Sequence, residues 1–316
     1  MAKNFALIGA AGYIAPRHMQ AIAETGNNLK CALDKSDSVG ILDRYFENVD
    51  FFTEFERFDR HVEMLRTKST ADKIDYVSIC SPNYFHDAHM RFALRIGAHA
   101  ICEKPLVLNP WNLDALETLE EQSETNIYNV LQLRLHKSII ALKEKIEKKA
   151  NDKKHEIVLT YITSRGKWYD YSWKGDQEKS GGVPTNIGIH FFDMLTWIFG
   201  DVQNHQVHIN EKRKASGFIE LEKANVRWYL SLDRNDLPEQ AVNDGKTTFR
   251  SITIDGDEIE FSGGFTDLHT EIYKDILNGG GFRISHARTS VELAYQIRHA
   301  KIEKPGNEEA HPFLLL

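Results

Sequence analysis

No apolar run in the 316 residues approaches the roughly 20 needed to cross a bilayer. The opening Met1-Ala2-Lys3-Asn4 leads straight into a strand pattern instead of a signal peptide. A cytoplasmic protein with no membrane partner is therefore expected. A basic excess is also missing: 39 Lys and Arg face 46 Asp and Glu, a formal charge of -7. That balance argues against a nucleic-acid partner and leaves room for a local basic pocket suited to a small anion. Cysteine is scarce. Cys31, Cys80 and Cys102 lack metal-like spacing and fall in apolar strand patterns, so buried free thiols are expected and neither a disulfide nor a metal site is. Internal repeats and low-complexity segments are absent as well, which sets aside repeat architectures.

What is present suits two domains, because 316 residues exceed one ordinary core. From Met1 to about Asn129 short apolar runs alternate with amphipathic stretches, the pattern of a parallel sheet covered by helices. The runs are Phe5 to Ile8, Leu29 to Leu33, Val49 to Phe52, Tyr76 to Cys80, Ala98 to Cys102 and Ile127 to Leu131. Helices are expected at Tyr84 to Ile96 and Trp111 to Glu124. After a charged helix from Lys137 to Lys149 the pattern changes to longer alternating strands: Glu156 to Thr163, Val202 to Glu211, Gly217 to Glu222, Ala224 to Leu232 and Thr247 to Ile254. Turns at Asn243-Asp244-Gly245, Asp255-Gly256 and Ser262-Gly263-Gly264 punctuate this half, and helices from Asp267 to Leu277 and Thr289 to Ile302 close it. The tail from Lys304 to Ala310 reads as loose or as an oligomer contact. The expected class is α/β: a dinucleotide-binding Rossmann domain over 1–130, then an α+β domain over 131–316 with a large, mostly antiparallel open sheet.

Directly after the first strand stands Gly9-Ala10-Ala11-Gly12-Tyr13-Ile14-Ala15, where a dinucleotide pyrophosphate rests on helix-terminal amides. The spacing is Gly-x-x-Gly-x-x-Ala, so Gly12 allows close backbone approach and Ala15 keeps the helix near the sheet. The second strand ends at Asp34, about 20 residues on, where a carboxylate can accept from both ribose hydroxyls. That favours NAD over NADP. A helix N-cap is the competing reading of Asp34.

Two further segments lie at carboxyl ends of strands: Ser81-Pro82-Asn83-Tyr84-Phe85-His86 and Glu103-Lys104-Pro105. With the glycine loop, Gln132-Leu133-Arg134, Ser180-Gly181-Gly182-Val183 and Gly188-Ile189-His190-Phe191-Phe192-Asp193, they make the whole chain resemble the Gfo/Idh/MocA family of nicotinamide-dependent sugar oxidoreductases. The resemblance implies that Lys104 and His190 are catalytic. Alcohol oxidation needs a base and a positive group beside the reacting carbon, and these two residues supply both. His190 as base with Lys104 polarising the hydroxyl is one assignment; a lysine of depressed pKa as base is the other. The resemblance further implies cofactor contacts from Gly9, Gly12, Tyr13, Ile14, Asp34, Ser81, Pro82, Asn83, His86, Glu103, Lys104 and Gln132. Glu103 anchors the turn that presents Lys104, and the Lys104-Pro105 bond is often cis in the family.

The stretch Ser164-Arg165-Gly166-Lys167-Trp168-Tyr169-Asp170-Tyr171-Ser172-Trp173-Lys174-Gly175-Asp176 mixes cations, aromatics and hydroxyls, which suits a large anionic sugar. Arg165, Lys167, Tyr169, Ser172 and Trp173 are its candidate substrate ligands, joined by Arg134, Asn186, His190 and Arg227. Within the family this stretch resembles that of members acting on a UDP-linked acetamido uronic acid. Their reaction is oxidation of the 3-hydroxyl of UDP-N-acetyl-D-glucosaminuronic acid by NAD in O-antigen lipopolysaccharide synthesis. The product passes to a pyridoxal-phosphate aminotransferase, and some members reoxidise NADH in place with 2-oxoglutarate. Another sugar or inositol dehydrogenase, or a noncatalytic NAD or sugar sensor, are the alternatives. The second-half sheet leaves one face to cover, and the resemblance implies that this face forms a homotetramer.

Overall fold

The computed structural model describes residues 2–148, 153–259 and 267–315. The chain divides into two compact units, 1–135 with 266–288, and 136–265 with 289–316.

In the first unit the chain runs β1 (Asn4–Ile8), α1 (Ala15–Glu24), β2 (Asn28–Leu33), β3 (Asp50–Phe52), α2 (Phe55–Lys68), β4 (Tyr76–Ile79), α3 (His86–Arg95), β5 (His99–Cys102), α4 (Trp111–Glu121) and β6 (Ile127–Asn129). β1 and β4 are buried along their whole length, as parallel strands covered on both faces must be. The sheet order is β3-β2-β1-β4-β5-β6 with every pair parallel. The order reverses between β1 and β4, which opens a crevice at their carboxyl ends. α1 buries the stripe Ala15, His18, Met19, Ala21 and Ile22 and carries a proline in its first turn, where a missing amide proton costs nothing. Cys31, Cys80 and Cys102 are buried free thiols.

The second unit contains α5 (Lys137–Lys148), β7 (His155–Thr163), α6 (Trp168–Tyr171), α7 (Gln177–Ser180), α8 (Ile189–Phe199), β8 (Val202–Asn210), β9 (Lys214–Leu221), β10 (Ala224–Ser231), α9 (Glu239–Asn243), β11 (Thr248–Ile254) and β12 (Asp257–Glu258). Its sheet order is β12-β11-β7-β10-β9-β8, antiparallel throughout except for the parallel pair β7–β10. Phe192 of α8 meets the fully buried Trp228 edge to face at 5.4 Å, which seats the helix on one face of the sheet. The stretch after β7 is not an open loop. Ser172 and Asp176 each accept a backbone N–H two residues on, and these caps wind it into α6, a single turn at Trp173–Gly175, and α7.

α10 (Leu268–Leu277) belongs to the first unit, a return that no periodicity in the sequence signals. Ile272, Tyr273 and Ile276 join Phe5, Leu7, Met19 and Ile22 in one core, with Tyr273 stacked on Phe5 at 5.8 Å. α11 (Ile284–His299) starts ahead of the expected Thr289 and carries the chain into the second unit. The tail is pinned. Residues 304–308 stay largely exposed, but Ala310 and His311 are buried, and Phe313 and Leu314 pack against a cluster of Ile162, Tyr229 and Leu237. The Ser262-Gly263-Gly264 turn and the end of the charged helix at Lys149 lie outside the described residues.

Candidate functional site

Each unit carries its own group of site residues. In the first, the glycine loop crosses the crevice between β1 and β4. Gly9 has φ +92°, and a Cβ there would come within 2.6 Å of the Cys80 carbonyl carbon, so only glycine lets the two strand ends approach. The Gly9 and Ala10 amides bond the Leu33 carbonyl, at 2.8 and 3.2 Å, and the Gly12 amide bonds Gly9 at 3.0 Å. Tyr13 and Ile14 come next. Their amides have no backbone partner among the described residues, and α1 has neither a side-chain cap nor an acidic residue in its first turn. Free amides at the positive end of a ten-residue helix fit a pyrophosphate.

Asp34 is tied to this loop. One carboxylate oxygen accepts the Ala11 amide and the other the Ser36 amide, both at 2.9 Å. Each oxygen keeps a lone pair for a ribose hydroxyl. The charge suits NAD and opposes the extra phosphate of NADP.

Ser81 follows β4, and its hydroxyl lies 2.8 Å from His89 Nδ1. Burial lowers the His89 pKa to about 4, so the ring is neutral and able to accept. Pro82 directly precedes a single turn, Asn83–Phe85, and Asn83 is buried. His86 is fully buried, with Nδ1 2.7 Å from the Pro105 carbonyl and Nε2 2.8 Å from that of Ser81, so it staples the two turns together. Burial lowers its pKa, against the pull of those carbonyls and of Glu103.

Lys104 stands half-buried after β5, and its bond to Pro105 is cis. Beneath it lies a polar cluster that sequence reasoning did not assemble. Glu103 Oε1 accepts from His18 Nε2 at 3.0 Å and His269 Nε2 at 2.9 Å, while Oε2 accepts the Lys104 amide at 3.2 Å. His18 Nδ1 lies 2.8 Å from the Tyr273 hydroxyl, which lies 2.6 Å from Ser78 Oγ. Burial raises the Glu103 pKa, but the bonds from the two histidines outweigh it and hold the carboxyl well below its usual range. Burial also lowers His18. With His18 neutral and its proton on Nε2, the chain from Ser78 through Tyr273 and His18 to Glu103 has one donor and one acceptor at every step. The signals were faint: a histidine within the apolar stripe of α1 and a serine within the buried strand β4.

In the second unit His190 is half-buried in the first turn of α8. Asn186 lies in the wide turn Pro184–Gly188 that feeds the helix, and its side-chain amide donates to the Tyr169 hydroxyl at 2.7 Å. Tyr169 is buried, which raises its pKa. Trp173 is half-buried, Lys167 is exposed, and Ser172 Oγ bonds the Tyr169 carbonyl at 2.8 Å. Sequence reasoning also passed over Arg213, which donates to Asp170 at 2.7 Å and to the carbonyls of Arg165 and Leu232, fastening the base of the stretch. Arg227 and Trp228 alternate on β10, and the Arg227 guanidinium lies 3.8 Å from Glu156. Back in the first unit, Gln132 and Arg134 occupy the single turn after β6. Arg134 donates to the His286 carbonyl at 2.9 Å and lies over the Phe282 ring.

Comparison with known proteins agrees with this fold. The family model described as the oxidoreductase family's NAD-binding Rossmann fold matches residues 3–130, and that of the family's C-terminal alpha/beta domain matches 153–277. The WlbA (WbpB) dehydrogenase of Thermus thermophilus, solved with NAD and alpha-ketoglutarate, is similar with a TM-score of 0.94 and 48% identity, over 98% of this chain and 99% of that one. Its structure with NAD and UDP-GlcNAcA gives the same TM-score at 47% identity, over 98% and 99% of the two chains. Among curated proteins, the D-glucoside 3-dehydrogenase of Escherichia coli K12 is 32% identical over 136 residues. That match takes in 41% of this chain and 37% of that protein, so the chain spans little more than a third of that relative's length.

Proposed function

Because the chain belongs to the Gfo/Idh/MocA oxidoreductase family, we propose that it uses NAD to oxidise the 3-hydroxyl of UDP-N-acetyl-D-glucosaminuronic acid to the 3-keto sugar nucleotide. The observation that carries this reading is the 48% identity over nearly the full length of a dehydrogenase that has also been solved with NAD and UDP-GlcNAcA.

Oxidation of a secondary alcohol breaks a C–H and an O–H bond; a hydride leaves carbon, a proton leaves oxygen, and a ketone forms. When bound, NAD supplies the hydride acceptor. His190 accepts the hydroxyl proton, and the Lys104 ammonium hydrogen-bonds the oxygen and favours the developing alkoxide. Glu103 fixes the Lys104 backbone, its carboxylate held in turn by two histidines. Asn186 orients the sugar, since an amide cannot exchange protons as an acid or base. Arg165, Lys167 and the aromatic side chains around them receive the anionic part of the substrate.

The 3-ketone is the kind of group a pyridoxal-phosphate aminotransferase converts to an amine, which places this step in the making of a diacetamido uronic acid for lipopolysaccharide. We assign the protein to the cytoplasm as a homotetramer; among the described residues no helix is long and apolar enough to cross a membrane. The test is incubation with NAD, UDP-GlcNAcA and 2-oxoglutarate, with NMR detection of the keto sugar and of 2-hydroxyglutarate. Wild-type protein should form the 3-keto product, and Lys104→Ala should abolish it with the circular dichroism unchanged. Undiminished turnover by that variant, or preference for a neutral hexose or inositol, would overturn the assignment.

A further inference from the structure

The stretch between β7 and α8 is charged unevenly. Of its three acidic residues, Asp170 pairs with Arg213 at 2.7 Å and lies 3.9 Å from Lys212, Asp176 pairs with Lys179 at 3.1 Å while capping α7, and Glu178 is exposed and acts on Arg298. The backbone is fixed as well, because a Cβ on Gly175 would come within 2.6 Å of the Asp170 Cα and the Tyr169 carbonyl oxygen. The turn at Trp173–Gly175, which carries Lys174, is thus packed directly against α6.

Lys174 has an unusual setting. Its ammonium lies 5.8 Å from the Trp168 ring and 5.4 Å from the Trp173 ring, so two indoles flank one cation. Among the described residues no carboxylate pairs with it or with Arg165. Burial, and after it the neighbouring Arg165, pull the Lys174 pKa below the usual lysine range. Two adjacent cations held half-buried without a counter-charge are destabilising alone and are relieved by an anion. Tyr169, which is bonded to Asn186, connects the same stretch to the turn that leads into α8 and His190.

We propose that Lys174 and Arg165 form an anion subsite for the sugar nucleotide, binding the uronate carboxylate or the diphosphate between the Trp168 and Trp173 rings. This rests on the function proposed above and adds Lys174 as a specificity-determining residue. Met at position 174 keeps the apolar stem between the indoles and removes only the charge.

The experiment compares wild type, Lys174→Met, Lys174→Arg and Arg165→Met, each saturated with NAD, by steady-state kinetics with UDP-GlcNAcA and by calorimetry with UDP-GlcNAcA, UDP-GlcNAc and UDP. Loss of a charge-assisted hydrogen bond should raise the KM and Kd for UDP-GlcNAcA roughly tenfold to a hundredfold in both Met variants, with kcat little changed. Lys174→Arg should retain most of the affinity. If the carboxylate is the bound group, UDP and UDP-GlcNAc binding stays at the wild-type level; if the diphosphate is, both weaken in parallel. Met variants that bind and turn over UDP-GlcNAcA as wild type does overturn the subsite alone. Wild-type protein that neither binds nor oxidises UDP-GlcNAcA overturns the parent function, and the subsite with it.

Discussion

Replacing His311 with Gln should blunt the acid sensitivity of the second unit, by an amount set by the burial of this one ring. His311 is fully buried, with Nε2 3.0 Å from Thr160 Oγ1, Nδ1 accepting the Phe313 amide at 3.1 Å, and its ring stacked on Tyr229 at 5.4 Å. Burial, and next the Arg227 guanidinium, lower its pKa from 6.5 to about 3, against a smaller upward pull from the Leu159 backbone. The sign follows from linkage. Above the unfolded value both states are neutral and nothing is lost; as pH falls from 6.5 towards about 3, the unfolded chain takes a proton that the folded chain refuses, and stability declines. At about pH 5 the loss amounts to about 2 kcal/mol, roughly 1.5 pH steps at about 1.36 kcal/mol each. Urea unfolding of wild type and His311→Gln at about pH 7 and about pH 5 isolates this contribution, because the other histidines titrate alike in both proteins. The variant should be the weaker protein near neutrality and should recover about 2 kcal/mol relative to wild type at the lower pH. Parallel loss of stability in the two proteins would refute the reasoning.

Gly9→Ala should cost about 2–3 kcal/mol and weaken NAD binding at least about tenfold, because a Cβ at φ +92° meets the Cys80 carbonyl carbon at 2.6 Å. Thermal unfolding and calorimetric titration with NAD measure the two effects, and an unchanged Kd would contradict the assigned role of the loop. His269→Leu should destabilise by about 2 kcal/mol by taking one of two histidine donors from the buried Glu103. Combined with Glu103→Gln it should cost less than the sum of the single changes; simple additivity would mean that the two side chains do not interact.

The parallel sheet was legible because its strands are short, apolar and unbroken by polar alternation, a pattern that few other structures produce. The placement of Gly9, Asp34 and Lys104 just past strand ends was legible from the same apolar runs, and strand ends of an α/β sheet are where ligands bind. The cluster below Lys104 was not, since His18, Ser78 and Glu103 come from three separate places in the chain and only His269 and Tyr273, one turn apart on α10, have local spacing to each other. The same holds for α10, whose amphipathic face is equally compatible with either unit until Tyr273 is seen stacked on Phe5. The tail misled through its composition. Residues 304–308 are as polar and exposed as expected, but the apolar and aromatic residues just beyond them hold the sheet.

Asp34 joins cofactor choice to loop shape. A carboxylate beside the ribose is usually read as a charge that repels a 2′-phosphate. Here the same group also accepts the Ala11 amide within the glycine loop and the Ser36 amide just past β2, both at 2.9 Å. An arginine in its place would offer the charge that a phosphate prefers, but a guanidinium accepts no hydrogen bond. The Ala11 amide would lose its acceptor, and the glycine loop would be left with only the Gly9 and Ala10 bonds to the Leu33 carbonyl as its tie to the second strand. If this loop receives the pyrophosphate as proposed, Asp34 would serve both the preference for NAD and the shape of the loop, and a change of cofactor would need a second residue to take over both backbone amides.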